Sequence, residues 1–276
     1  MNDEVSNATR SQILLIQEYF VALETRQVVD RPEAKRVAMF GPHADDIVLG
    51  AGGLAIKYAA AGIPVYFNCM TDGRACVADV EERRRLVAVR AAEERRAGEI
   101  CGAHGVEILG FREDRFADPA QLDHQVGEVA RVLAEQRPDV VFIPHWFEVH
   151  PWHRYANHVL ALALAQVSIP ERVFAYQVIS LVPPAFVVDT SEVLEQKVEA
   201  VRAYESQLAM RDYERDVRML GGMHAPLAGG NAASAEVFFG MARAEYTDRI
   251  GALGLDDDET LGCGIQPVVP AAGPEE

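Results

Sequence analysis

The chain has 276 residues, 49% of them hydrophobic and 25% charged, which suits a globular protein with a sizeable buried core. Its formal charge of −16 excludes nucleic acid and anionic membrane surfaces as main partners, because phosphate binding is driven by Lys and Arg. The four cysteines, Cys69, Cys76, Cys101 and Cys263, form no CxxC pair, so neither a zinc knuckle nor a disulfide framework is expected, and Cys69 and Cys101 read as small core residues.

Taken in chain order, residues 1–10 are polar and read as a frayed start. Ile13, Leu14, Ile16, Phe20, Val21 and Leu23 then recur at helical spacing, which predicts an amphipathic helix over 11–27 on the outside of the domain. Pro32 breaks it. An apolar run over 36–40 reads as a buried strand, and a helix rich in small residues follows from 48 to about 61, capped by Ala61-Gly62. A second strand over 64–70 ends in the turn Thr71-Asp72-Gly73-Arg74, where Arg74 is placed to meet a substrate or solvent. A long helix spans 80–103 with an apolar stripe through Leu86, Val89, Ala92, Ala97 and Ile100, its charges reading as a solvated face.

A third strand over 106–110 leads into the polar turn Phe111-Arg112-Glu113-Asp114, then a helix over 121–136 that stops at Arg137-Pro138. Val140 to Ile143 is wholly apolar, as in a strand buried on both faces. Such alternation demands right-handed crossovers, so the fold class is α/β, a Rossmann-like, mostly parallel sheet flanked by helices. Additional strands over 174–179 and 186–188 and helices over 191–204 and 208–220 fill the C-terminal half. Without an internal repeat or clean linker, the expectation is one domain over 1–264, the helix 11–27 being an extension, with a flexible tail over 265–276.

Two stretches carry chemistry. The first, Pro42-His43-Ala44-Asp45-Asp46, sits on the turn between a strand's C-terminal end and a helix N-terminus, where open α/β sheets bind ligands and where negative charge is favoured. Neighbouring residues on a turn point in different directions, so one aspartate can bind a metal beside His43 while the other faces a water. The second runs from Pro144 to His158 and holds His145, His150, His153 and His158, half of the chain's eight histidines. Two histidines and a carboxylate make a facial ligand set with open positions, which suits hydrolytic zinc and equally non-haem iron(II). His158, five positions past His153, lies roughly 140° round a helix and is not expected to be a ligand. His145 and Trp146 read as packing residues, and His104, His124 and His224 as surface or loop residues.

These stretches resemble the PIG-L/LmbE family of zinc-dependent N-deacetylases, whose signatures are Pro-His-Pro-Asp-Asp-Glu and His-Pro-Asp-His; the second is matched by His150-Pro151-Trp152-His153. Thr71-Asp72-Gly73, Arg90 to Glu93, Leu109-Gly110-Phe111, Lys197, Ser206-Gln207 and Ala235 to Phe238 extend the resemblance over about 36–240. It implies that His43, Asp46 and His153 bind Zn2+, with Fe2+ or another divalent metal as the alternative. It further implies that Asp45 is the general base and that His150 stabilises the oxyanion or protonates the leaving group. Arg90 matches the family's substrate-contacting arginine, and Asp114, or equally Glu113, would take substrate hydroxyls. Ala44, Ile47 and Trp152 depart from the pattern; Glu148 is placed to replace the aspartate that Trp152 displaces, and Trp152 itself to wall the substrate pocket.

The implied activity is hydrolysis of an N-acetyl or N-acyl group on an amino-sugar-containing small molecule. A deacylase of a non-sugar amide or natural-product intermediate is the rival, and a catalytically decayed metal-binding protein or an iron oxygenase come from other classes. The start carries no signal-peptide pattern and no apolar run has the length of a membrane span, so a cytoplasmic protein without membrane insertion is expected, and a homo-oligomer is compatible with it.

Overall fold

A computed structural model describes residues 7–74 and 79–254. The expected tail over 265–276, the first six residues, Cys76 and Cys263 lie outside the described residues. Strands β1 (Gln27–Val29), β2 (Val37–Gly41), β3 (Val65–Thr71), β4 (Gly105–Phe111), β5 (Val140–Pro144), β6 (Arg172–Tyr176), β7 (Phe186–Asp189) and β8 (Ala235–Ala242) form one sheet. Their order is β1-β7-β8-β6-β5-β2-β3-β4, and β8 alone runs antiparallel to its neighbours. The mostly parallel α/β architecture is therefore as expected.

Strand residues alternate between two cores because successive side chains point to opposite faces. Val37 and Met39 of β2 join Val140 and Phe142 of β5 on one face; Ala38, Phe40, Val141 and Ile143 fill the other. The first face is covered by helices α2 (Asp46–Ala60), α3 (Val80–Cys101) and α6 (Leu194–Val201). The second is covered by α4 (Leu122–Gln136), α5 (Pro151–Gln166) and α9 (Arg243–Leu253). Helix α2 packs close to β6: a Cβ at Gly50 would fall 2.3 Å from the Tyr176 ring, so glycine is what admits the approach.

Helix α1 covers Asn7–Thr25, so the segment expected to fray at 7–10 is helical and Gln27 opens strand β1 instead of ending the helix. The short α7 (Glu205–Leu208) and the longer α8 (Tyr213–Ala228) replace the expected helix over 208–220. Neither β8 nor α9 was legible in the pattern. Among the described residues no helix is long and apolar enough to cross a membrane. Cys69 and Cys101 are free and buried, as expected of small core residues.

This topology creates the site. The chain runs from β2 to β3 and β4 on one side and returns to β5 on the other, so the order reverses between β2 and β5. The crevice at the carboxyl ends of those two strands is the ligand site of such a sheet. Here it receives the two histidine-bearing stretches.

Candidate active site

Helix α2 begins directly after the β2 turn, which places Asp46 in its first turn, where the helix dipole favours a carboxylate. The Asp46 Oδ2 accepts the His43 backbone N–H at 2.8 Å and lies 3.2 Å from His43 Nδ1. The other oxygen, Oδ1, lies 3.2 Å from His153 Nε2 on α5. One carboxylate thus sits between two imidazoles from opposite sides of the crevice. His43 Nε2 faces a second carboxylate, Glu113 Oε1, at 3.2 Å.

His150 caps α5: its Nδ1 accepts the Trp152 backbone N–H at 3.3 Å, which assigns the ring proton to Nε2. Its ring stands 4.7 Å from that of His43 and 5.0 Å from that of His153. One ring nitrogen from each of the three histidines falls within 4.8 Å of the others, a group that could hold a metal ion. The donors fit a divalent cation. Neighbouring ligand atoms on tetrahedral zinc are about 3.3 Å apart, and the two Asp46–imidazole spacings of 3.2 Å match this.

The electrostatics call for positive charge at the same point. Burial alone would lower the His43 pKa, yet the Asp46 and Glu113 carboxylates raise it to about 10. Burial opposes the charge on Asp46 as well, but His153 and His43 hold its carboxyl well below the usual range. Asp45 differs: burial pushes it up to about 7, against the pull of Arg90 and with the push of Asp46. Burial and the neighbouring His43 and His153 rings lower His150 to about 3, so its imidazole is neutral at pH 7. Two adjacent carboxylates driven apart in this way are suited to different tasks.

Asp45 holds a backbone φ of 112°, rare for a residue with a Cβ. Its carboxylate Oδ2 lies 3.4 Å from Arg90 Nη2, which also donates to the Ala44 carbonyl at 2.8 Å. Arg90 Nη1 reaches the Gly73 carbonyl at 3.3 Å; Gly73, at φ 68°, leaves the space that the guanidinium occupies. Arg90 therefore lines the site while gripping the Asp45 turn.

All of these groups border one cavity of about 330 Å³. His43, Asp45, Asp46, Glu113, His150 and His153 form its polar floor. Val178, Ile179, Val217 and Leu220 form an apolar wall, with Gln207, Arg211 and Tyr213 beside it.

Asp114 points elsewhere: it forms a two-point pair with Arg112 at 3.0 and 2.6 Å, and the buried Glu113 takes the position at the cavity. Trp152 does not wall the cavity either; its half-buried ring meets Phe116 edge-on at 6.0 Å in the second core. Arg74 pairs with the buried Asp72, which in turn accepts the Glu113 N–H at 3.3 Å and so supports that turn. Glu148 is not beside His150. Its Oε2 lies 3.9 Å from His153 Nδ1, and its carboxylate gathers the N–H groups of Val178, Ile179 and Ser180 at 2.7, 2.8 and 3.0 Å.

His145 packs on Trp146 with ring centroids 4.1 Å apart, as expected. His104 and His124 are exposed, but His224 is buried and bonded to Gln177 at 2.9 Å, contrary to its reading as a surface residue. Glu94, Tyr204, Tyr213 and the loop 178–180 escaped the sequence reading. Glu94 lies one position beyond the quoted Arg90-to-Glu93 segment, which was the signal available for it.

A switch-point crevice carrying a histidine–carboxylate cluster defines an α/β fold with a candidate metal site, and comparison with known proteins gives the family. Residues 38–164 match the family described as PIG-L, GlcNAc-PI de-N-acetylase. The chain is 30% identical to the diacetylchitobiose deacetylase of Thermococcus kodakarensis over 192 residues, covering 63% of this chain and 71% of the relative. It is 28% identical to the probable N-acetyl-alpha-D-glucosaminyl L-malate deacetylase 2 of Bacillus anthracis, covering 66% and 88%. In fold it is similar to N,N'-diacetylchitobiose deacetylase from Pyrococcus horikoshii, solved with an inhibitor, at a TM-score of 0.67 and 23% identity, covering 89% and 97%. The chain belongs to the PIG-L family, and its enzyme class is that of the deacetylases.

Proposed function

We propose that this chain is a metal-dependent N-deacetylase that hydrolyses an N-acetyl, or other N-acyl, amide on an amino-sugar-containing small molecule. The observation that carries the reading is the Asp46 carboxylate held 3.2 Å from both His43 and His153, with Asp45 facing the same cavity. The relatives' action on acetylated glucosamine derivatives supports the amino-sugar part.

His43, Asp46 and His153 are the ligands we assign to Zn2+, with Fe2+ or another divalent ion as the alternative. His150 could complete a three-histidine set, but its Nδ1 is engaged by Trp152 and its Nε2–H is free to serve substrate. A divalent ion bound there supplies Lewis acidity and brings the pKa of its water to about 7.

The Asp45 carboxylate, oriented by Arg90, takes the proton from the water that attacks the amide carbonyl. The neutral His150 donates its Nε2–H to the oxygen that becomes negative as the carbon turns tetrahedral. Asp45 then returns the proton to the departing nitrogen. The C–N bond breaks, leaving acetate and a free amine. Glu113 is the carboxylate we place against substrate hydroxyls. Residues 1–264 act as one domain in this proposal, in the cytoplasm, on a small soluble substrate.

The test is metal content together with acetate release from N-acetylglucosamine conjugates, for wild type, Asp45→Ala and His153→Ala. His153→Ala should lose metal, and Asp45→Ala should keep metal and lose turnover by orders of magnitude. Wild-type turnover by Asp45→Ala, or a protein that never holds metal, sinks the mechanism. The apolar wall of Val178, Ile179, Val217 and Leu220 favours a second reading, deacylation of a non-sugar amide. Acetate release from acylated amino acids, and not from sugar conjugates, selects it. Bound metal without turnover of either selects a decayed binder.

A further inference from the structure

A non-glycine residue at φ 112° is strained and persists only where its surroundings over-determine it. At Asp45 the surroundings can be named. Its carbonyl accepts the Leu49 N–H at 2.9 Å as the first bond of α2. Arg90 holds the preceding carbonyl, that of Ala44. The Asp45 N–H points into the core, where Glu94 Oε2 accepts it at 3.2 Å. The same Oε2 accepts the Tyr204 hydroxyl at 2.7 Å. Glu94 and Tyr204 are both fully buried.

Arg90 and Glu94 stand four residues apart on α3 and so share one face of the helix. One holds the carbonyl and the other the N–H of the single Ala44–Asp45 peptide, the plane whose orientation sets the rare φ. Neither Glu94 nor Tyr204 borders the cavity. Whatever they do for turnover must pass through another residue.

Resting on the assignment of Asp45 as general base, we propose that Glu94, locked by Tyr204, is a positioning residue for Asp45. It fixes the left-handed peptide from which the Asp45 carboxylate is aimed at the attacking water. Without that acceptor the peptide relaxes toward ordinary φ, and the carboxylate leaves its working position although the metal ligands stay in place. Misplacement of a reacting group by about 1 Å costs on the order of 10² in rate.

The experiment is a double-mutant cycle on the metal-loaded enzyme, with kcat, KM and metal content read for each variant. Glu94→Leu should lower kcat about 10²-fold at wild-type KM and metal content. Glu94→Gln keeps an acceptor oxygen at the same place and should restore most of the activity. In an Asp45→Ala background, Glu94→Leu should lower kcat no further. The proposal is overturned if Glu94→Gln falls as far as Glu94→Leu while remaining folded, if the Leu loss recurs in full in the Asp45→Ala background, or if it appears in KM or metal content. If Glu94→Leu does not fold, Tyr204→Phe replaces it in the same cycle, with a smaller kcat loss that must again vanish in the Asp45→Ala background. Wild-type turnover by Asp45→Ala alone would overturn the base assignment; an additive Glu94 loss on a crippled Asp45→Ala enzyme overturns only the positioning role.

Discussion

Asp46 Oδ1 lies 3.2 Å from His153 Nε2, joining the first turn of α2 to the first turn of α5 across the crevice between β2 and β5. No local element imposes this contact. It exists because the strand order reverses there, bringing two distant stretches to one point. Asp46→Asn removes the negative charge that both imidazoles face while keeping the shape. Metal affinity should fall by about 10² or more, beyond the 10–100-fold typical of a lost outer partner. Metal content after dialysis against a competing chelator measures it. Retention at the wild-type level would remove Asp46 from the ligand set.

His150 offers a separable test. Its ring is neutral, with Nδ1 tied to Trp152, so its contribution is a donated hydrogen bond and not a charge. His150→Ala should lower kcat by about 10²–10³, as loss of an oxyanion donor does, while metal content stays at the wild-type level. Loss of metal in this variant would instead favour the three-histidine ligand set.

The parallel half of the sheet was legible because its strands are short apolar runs bounded by turn signals, and the crevice followed from that alternation. Helix α3 was read correctly toward its C-terminal end, where Ala97 is buried and Ile100 packs on the core, but not in its middle. Its apolar periodicity put Val89 and Ala92 inside, yet Val89 is 44% exposed, while Arg90, Glu93 and Glu94 are buried. Those charges are buried because they serve a polar site: Arg90 and Glu94 hold the Asp45 turn, and Glu93 accepts the Ser206 N–H and hydroxyl at 2.8 and 2.7 Å. Hydrophobic spacing cannot reveal a helix whose inner face is polar. Glu113 and Asp114 are one residue apart, and only the backbone turn decides that the first faces His43 and the second Arg112. Strand β1, three residues with little burial, carries no pattern to read.

Glu148 binds the wall of the cavity. It collects three successive N–H groups, from Val178 to Ser180, and is fully buried. Glu148→Ala leaves those donors without their acceptor, and such losses cost about 1–3 kcal/mol per buried group. We expect unfolding free energy to drop by about 3 kcal/mol and KM to rise more than kcat falls, because Val178 and Ile179 line the cavity. Denaturant unfolding with steady-state kinetics checks both. Unchanged stability would mean that the loop is held by something else.

His145 gives the chain an acid sensitivity away from the metal ligands. The ring is fully buried against Trp146, and its Nδ1 accepts the Phe147 N–H at 3.2 Å. Burial, helped by the positive Arg249, lowers its pKa from 6.5 to about 3. Below 6.5 the unfolded chain therefore binds a proton that the folded chain refuses. Stability from this group is full above 6.5 and declines as pH falls toward 3. Between pH 7 and pH 5 the decline is about 2 kcal/mol. His224, lowered by burial to about 4, acts with the same sign. His145→Gln cannot take up that proton, so its loss of stability from pH 7 to pH 5 should be smaller than wild type's by about 2 kcal/mol, whatever the substitution costs at pH 7. Urea unfolding at the two pH values measures the difference directly. Equal declines in both proteins would show that His145 is protonated alike in the folded and unfolded chain.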